Sequence, residues 1–104
     1  FTRLVIEAGE SVGERIWELP TYEEYSKQFE SDIADIKNSG GVSGGAITGA
    51  MFIGHFRGKA DWVHLDIAAM SRSLTTRGEI VKGATGSGVR TLVNVAHRLS
   101  QTPK

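Results

Sequence analysis

Three side chains that could form a hydrolytic triad occur in the order serine, aspartate, histidine, as in one class of serine hydrolases. The G-x-S-x-G pattern of a nucleophile elbow occurs at residues 41–45 (GVSGG), with Ser43 at its centre and with Asp66 and His97 after it. An elbow needs a strand directly before the serine, whereas residues 37–40 (KNSG) favour no strand. We therefore interpret Ser43 as part of a glycine-rich loop and keep a serine hydrolase only as a remote alternative.

A second glycine-rich segment, at residues 83–88 (GATGSG), precedes a predicted helix as a phosphate-binding loop would. In the Walker pattern a lysine and then a serine or threonine follow the last glycine, supplying charge to the phosphates and a hydroxyl ligand for Mg²⁺. Here Val89 and Arg90 occupy those positions, so both groups are missing. We interpret the segment as an ordinary loop that leads into a helix, although a helix N-terminus by itself can hold an anion.

His64 and Asp66 are two residues apart on a predicted strand, so their side chains share one face of it. A histidine and an aspartate in this arrangement can both bind a metal ion. Two ligands do not make a site, however, and no third candidate has a suitable spacing. We therefore expect a buried, hydrogen-bonded pair here rather than a metal site.

The elements that must position these residues are predicted from periodicity and from residues that end helices and strands. A helix is predicted from Phe1 to Ala8, ended by Gly9 and Gly13. Further predictions are a short strand at 16–19 stopped by Pro20, a helix at 22–29 with a Thr21/Glu24 capping box, an all-round apolar buried helix at 46–56, a strand at 62–68, a short extended piece at 80–81 and a helix at 87–99.

Apolar residues define the sides that these elements should bury. Trp17 and Trp62 are predicted to be core aromatics. The apolar stripe of the last helix consists of Val89, Leu92, Val93, Ala96 and Leu99. Alternating helices and strands predict an α/β layered domain.

Composition limits the classes of protein that the chain could represent. Its 104 residues suffice for one domain, and 12 basic against 12 acidic residues argue against a general nucleic-acid or anionic-membrane binder. The absence of cysteine excludes disulfides, thiolate zinc sites and iron–sulfur clusters. The longest apolar run is far shorter than the roughly 20 residues of a membrane span.

Taken as a string, the chain resembles the C-terminal part of the leucyl aminopeptidase (cytosol aminopeptidase) family. The matching segments occur in the family's order and with its separations over almost the whole chain, which makes the signal specific. They are residues 11–20 (SVGERIWELP), 31–38 (SDIADIKN), 44–48 (GGAIT), 62–68 (WVHLDIA) and 82–86 (KGATG).

The resemblance implies a fold and a reaction. The fold would be α/β, a three-layer mixed sheet with helices on both faces, of which residues 1–104 would be the incomplete C-terminal portion of the catalytic domain. The reaction would be removal of N-terminal residues, often leucine, from peptides. Two divalent ions, zinc or manganese, would activate a bridging water and polarise the scissile carbonyl. The family's metal ligands and its N-T-D-A-E-G-R motif lie upstream of Phe1, so no catalytic or metal-binding residue is assigned in this chain.

Part of the family's substrate pocket does carry over by resemblance. Ala68 matches a residue that lines the pocket for the N-terminal side chain, and Ser71 matches a second pocket position where a family member has methionine. Ser39 falls where the family usually has isoleucine near the leaving-group side. Ala69 stands where the family usually has glycine. Ser39 and Ser71 would make the pocket more polar than one built for leucine, and a shift of one residue would bring Met70 into it instead.

The resemblance also implies partners and surroundings. Peptide substrates, the missing upstream part of the enzyme, a homo-hexamer and a cytoplasmic location are expected, with no nucleic acid and no membrane. The 104 residues alone are expected to be inactive. The alternative is a non-catalytic aminopeptidase-like structural or assembly subunit. The departures from the family's usual residues at Ser39, Ala69 and Ser71 give this alternative weak support.

Overall fold

The computed structural model describes residues 1–101. Its elements are, in chain order, helix α1 (Thr2–Ser11), a 3₁₀ helix (Glu23–Phe29), helix α2 (Gly45–His55), strands β1 (Arg72–Ser73) and β2 (Gly83–Ala84), and helix α3 (Val89–Ser100). The described residues form two units. The first unit contains Phe1–Trp17 and the described residues from Leu65 onward, and the second unit is Glu18–His64. Within residues 1–101, no helix combines the length and apolar character needed to cross a bilayer.

Helices α1 and α3 pack against each other and form the core of the first unit. From α1, Val5, Ala8 and Gly9 are buried, and from α3, Thr91 and Val95 are buried. The buried residues of α1 are spaced by three and four, which places them on one side of the helix. Gly9 lies closely against the segment that follows α1, since a Cβ atom there would be 2.6 Å from the Glu14 carbonyl oxygen and 2.7 Å from Ile16 Cδ1. The predicted helices at both ends of the chain are confirmed, although Gly9 lies inside α1 rather than at its end.

The predicted apolar stripe of α3 does not face α1. Its four large members, Val89, Leu92, Val93 and Leu99, are 47–67% exposed. The side that packs on α1 carries Thr91 and Val95 instead. These residues form an apolar stripe along α3, but the prediction that this stripe is the packed side of the helix was wrong for the described residues. Hydrophobic spacing identifies an apolar side of a helix, but it does not say which neighbour covers that side.

Strands β1 and β2 form a short antiparallel pair in the first unit, with Arg72 opposite Ala84 and Ser73 opposite Gly83. The segment that connects β1 to β2 contains a tight turn, in which Arg77 and Ile80 exchange two backbone hydrogen bonds, of 2.8 and 3.0 Å. Gly78 in that turn has a φ of +56°, which glycine adopts without steric cost. Ile80, in the extended piece predicted at 80–81, thus forms an isolated β-bridge with Arg77. Strand β1 lies within the polar segment 71–78.

Helix α2 packs on the 3₁₀ helix in the second unit. Phe29, Thr48 and Ala50 are buried there. The bounds predicted for α2 agree with the structure to within one residue at each end. Burial on all sides was wrong for the described residues, because Ile53 is 51% and Phe56 65% exposed.

The predicted strands at 16–19 and 62–68 are absent from the structure of residues 1–101, and neither segment has regular secondary structure. A strand needs a hydrogen-bonding partner, and the described residues provide none for these apolar segments. Trp17 is 88% exposed, so its prediction as a core residue was wrong, whereas Trp62 is half-buried. Residues 23–29 form a 3₁₀ helix without a side-chain cap from Thr21, so the predicted capping box was wrong too.

These differences decide how much of the predicted fold class is present. Residues 1–101 combine three α-helices, a 3₁₀ helix and one two-stranded antiparallel sheet. The three-layer arrangement with helices on both faces of a mixed sheet is not formed by residues 1–101. Helices mixed with a small sheet are what the structure shows.

Candidate functional site

Two of the three predicted pocket residues lie in one hydrogen-bonded turn of the first unit. The Asp66 carboxylate accepts a 2.9 Å hydrogen bond from the Ala68 N–H. The N–H groups of Met70 and Ser71 donate to the Ile67 carbonyl at 2.9 and 2.8 Å. The Ser71 hydroxyl donates back to the Ala68 carbonyl at 3.2 Å. The structure thus brings Ala68 and Ser71 together, with Ala68 exposed and Ser71 half-buried.

The far side of this turn is held by residues that follow β2. The Thr85 hydroxyl donates to the Met70 carbonyl at 2.5 Å, and the Ser87 hydroxyl donates to the same oxygen at 3.1 Å. The Thr85 N–H donates to the Ser71 carbonyl at 3.0 Å. Two hydroxyls therefore hold the peptide between Met70 and Ser71 through its carbonyl, and a third hydrogen bond, from the Thr85 N–H, holds the next peptide through the Ser71 carbonyl. Sequence analysis missed both hydroxyls, because their target lies 15 and 17 residues away and no short motif connects them.

The third predicted pocket residue, Ser39, lies in the second unit, between the 3₁₀ helix and α2, and is exposed. The neighbouring Gly40 is closely packed, since a Cβ atom there would lie 3.1 Å from the Cβ and Cγ2 atoms of Thr48. The Lys37 N–H donates to the Phe29 carbonyl at 2.8 Å, which ties the segment before Ser39 to the end of the 3₁₀ helix. The Ser39 side chain is therefore accessible on an anchored segment.

The glycine-rich segment before α3 holds a carboxylate from its own chain. The Glu14 side chain accepts hydrogen bonds from the Gly88 N–H at 3.2 Å, the Thr91 N–H at 2.9 Å and the Thr91 hydroxyl at 2.6 Å. Arg90 Nε lies 3.5 Å from Glu14 Oε1. Gly88, the residue before the helix, has a φ of +88°, a conformation suited to glycine. The loop-to-helix interpretation is confirmed, and the helix end that could bind a phosphate is occupied by Glu14.

These contacts stabilise the ionised form of Glu14. The hydrogen bond from the Thr91 hydroxyl is the main reason that the pKa of the Glu14 carboxyl lies below its usual value, and the Thr91 and Gly88 amides and Arg90 act in the same direction against desolvation. The side chain is 15% exposed. Sequence analysis missed this group because 77 residues separate Glu14 from Thr91.

The remaining candidate residues do not assemble into a site. Ser43 is exposed in the loop before α2, and no hydrogen bond within residues 1–101 joins it to Asp66 or His97. Asp66 is exposed and accepts a hydrogen bond from the Ala68 N–H, so its expected burial was wrong. The half-buried His64 lies beside the Trp62 ring, with 6.2 Å between the two ring centroids. In the described part of the chain, no three His, Cys, Asp or Glu side chains could together hold a metal ion.

Comparisons with known proteins place this arrangement in one family. The family model for the catalytic domain of the cytosol aminopeptidase family matches residues 1–93. A probable cytosol aminopeptidase of Geotalea uraniireducens is 53% identical over 92 residues, covering 88% of this chain and 19% of that protein. One from Alkaliphilus metalliredigens is 42% identical over 101 residues, covering 97% of this chain and 20% of that protein.

The solved structure of the bottromycin maturation enzyme BotP in complex with Mn is similar with a TM-score of 0.88 and 32% identity, covering 96% of this chain and 22% of that one. The chain therefore spans about a fifth of the length of these relatives. The family match reaches from the first residue to α3, and the fold agrees with it over nearly all of the chain. The resemblance read from the sequence is thus confirmed, and the chain belongs to the cytosol aminopeptidase family, whose catalytic-domain model matches residues 1–93.

Proposed function

We propose that residues 1–104 are the C-terminal portion of the catalytic domain of a metal-dependent aminopeptidase that releases N-terminal residues, of the leucine type, from peptides. The observation that carries this proposal is the family match over residues 1–93, supported by relatives that are 42–53% identical. In the complete domain, the apolar segment 62–68 would gain strand partners and become part of a three-layer α/β sheet.

The chemistry is divided between this chain and the rest of the protein. Within residues 1–101, no three His, Cys, Asp or Glu side chains could together hold a metal ion. Two divalent ions, zinc or manganese, would be held by residues outside the chain. This chain would supply helices, part of the sheet and part of the substrate pocket, and would be inactive alone.

The proposed pocket residues are Ala68 and Ser71 for the N-terminal side chain and Ser39 for the leaving-group side. The hydrogen-bonded turn supports the first two, because it fixes their backbones while leaving Ala68 exposed. The exposed Ser39 on its anchored segment is accessible to a ligand. The hydroxyls of Ser39 and Ser71 would favour more polar peptides than an apolar leucine pocket does.

The proposed partners are peptide substrates, the upstream part of the enzyme and further copies in a homo-hexamer, with a cytoplasmic location. The balanced charge of 12 basic and 12 acidic residues favours neither nucleic acid nor an anionic membrane as a partner. The names of the relatives, probable cytosol aminopeptidases, support the proposed location.

Release of leucine from leucine p-nitroanilide by the complete protein tests the proposed function. We expect activity that a chelator abolishes and that added Zn²⁺ or Mn²⁺ restores, and none from the isolated 104 residues, because the proposed metal ligands lie outside them. Circular dichroism of the chelated protein should show that it remains folded. A folded, metal-supplemented complete protein that releases no residue from a panel of aminoacyl substrates would instead support a non-catalytic aminopeptidase-like subunit.

Substitution of Ser71 with methionine tests the pocket. The longer apolar side chain should raise kcat/KM for a leucine substrate relative to a serine substrate by about tenfold, because the pocket gains apolar contacts and loses a hydroxyl. Ser73→Met, two residues further along in β1, is the matched control and should leave the ratio unchanged. Equal ratios in the Ser71→Met and unsubstituted enzymes would remove Ser71 from the pocket.

A further inference from the structure

The peptide between Met70 and Ser71 is held by hydrogen bonds from residues that follow β2, and not by its own turn alone. Thr85 contributes two hydrogen bonds: its hydroxyl donates to the Met70 carbonyl at 2.5 Å, and its N–H donates to the carbonyl of the following peptide, that of Ser71, at 3.0 Å. Ser87 adds a second hydroxyl bond to the Met70 carbonyl at 3.1 Å. A carbonyl oxygen has two lone pairs, so these two hydroxyls satisfy it completely.

The Thr85 hydroxyl is itself fixed. It has one proton, which it donates to the Met70 carbonyl, and its oxygen accepts a 3.2 Å hydrogen bond from the Ser87 N–H. Its direction is therefore set by the backbone of residues 85–87 rather than by solvent. The Met70 side chain is 64% exposed, so its own packing contributes little to holding the segment.

We infer that Thr85, assisted by Ser87, is a positioning residue that sets the shape of the pocket for the substrate's N-terminal side chain. The inference rests on the proposed function, since it assumes that Ala68 and Ser71 line that pocket. The proposed role of Thr85 involves contact with neither substrate nor metal. It acts by fixing the Met70 carbonyl, and with it the direction in which the Ala68–Ser71 turn presents its side chains.

This role predicts a change in selectivity rather than a general loss of rate. Thr85→Val keeps the side-chain shape and the backbone N–H but removes the hydroxyl. In the complete, metal-loaded enzyme, we expect KM for leucine p-nitroanilide to rise about tenfold while kcat changes less than about twofold, because a displaced pocket wall weakens side-chain binding. KM for alanine p-nitroanilide, whose methyl group reaches less of the pocket, should rise much less.

Two further variants make the result specific. Thr85→Ser retains the hydroxyl and should restore the leucine-to-alanine ratio of kcat/KM to within about twofold of the unsubstituted enzyme. Ser73→Ala removes a hydroxyl of the same hairpin that donates to the Thr75 carbonyl and does not contact Met70, and it should leave the ratio unchanged. If Thr85→Val does not fold, Ser87→Ala, which removes the longer of the two hydroxyl bonds, should shift the ratio in the same direction by a smaller factor.

The outcomes separate this inference from the function on which it rests. An active enzyme whose ratio is the same with threonine, valine or serine at position 85 would overturn the positioning role and leave the aminopeptidase proposal intact. Equal shifts in Thr85→Val and Ser73→Ala would also overturn it, since they would indicate general loosening of the hairpin. An unsubstituted, metal-loaded protein that cleaves neither substrate would refute the proposed function itself.

Discussion

Replacement of Gly9 with alanine is expected to weaken the α1–α3 pair by about 3 kcal/mol. A Cβ atom at this buried position would lie 2.6 Å from the Glu14 carbonyl oxygen and 2.7 Å from Ile16 Cδ1. Ile16 could move to another rotamer, but the Glu14 carbonyl belongs to the backbone. The Glu14 N–H is also bonded to the Gly9 carbonyl at 2.9 Å, so relief of the clash would break that bond. Native-state hydrogen exchange of α1 and α3 amides in the complete protein measures the loss.

Gly49→Ala is the matched control for this substitution. Gly49 lies inside α2, and a Cβ atom there would meet no atom within 4 Å. Because alanine has the higher helix propensity, this variant should slow exchange in α2, corresponding to a gain of about 0.5–1 kcal/mol. Equal effects of the two alanines would show that the close approach at Gly9 is not rigid.

Loss of the Glu14 carboxylate should weaken the start of α3 by about 2–3 kcal/mol at pH 7 in the Glu14→Ala variant. Three hydrogen bonds to a largely buried charged group are removed together, and the amides of Gly88 and Thr91 lose their partner. Glu14→Gln keeps the shape and should have a smaller effect of the same sign. Hydrogen exchange of the first turn of α3 reports the change directly.

The effect of Glu14 should depend on pH in one direction. Its pKa is lowered in the folded chain, so its stabilisation is fully present above the ordinary value of 4.5 and is lost as pH falls through the lower folded value. The difference between the unsubstituted protein and Glu14→Gln should therefore be constant from pH 7 to about 5 and should shrink below 4.5. A difference between the unsubstituted protein and Glu14→Gln that grows in acid would contradict the lowered pKa of Glu14.

Arg3→Ala, which removes an exposed 2.9 Å ion pair with Glu7, should cost less than about 0.5 kcal/mol.

Local patterns were enough to predict the helices. The apolar spacing in α1 and α3 and the apolar composition of α2 predicted all three helices close to their observed bounds. The loop before α3 was correctly interpreted because the two residues that a phosphate site requires are missing at positions 89 and 90. Each of these conclusions depends on residues within one turn or one motif of each other.

The errors concern contacts between residues that are far apart in sequence. Segment 62–68 has the composition of a covered strand, but no segment of residues 1–101 pairs with it. The turn holding Ala68 and Ser71 is closed by Thr85 and Ser87, whose roles no nearby pattern indicates. The assignment of pocket residues came from the family resemblance, not from spacing, and it stays a prediction.

The discontinuous first unit has a consequence for synthesis of the chain. Helix α1 is synthesised before α3, and Thr91, the residue that Glu14 binds, follows 77 residues after that glutamate. At roughly 5–20 residues per second, α1 waits on the order of 10 seconds for its partner helix. During that time Val5 and Ala8, buried in the folded chain, have no α3 to cover them. Helix α1 therefore gains its partner helix only after α3 has been synthesised, and a nascent chain that stalls between α1 and α3 exposes an apolar surface to aggregation.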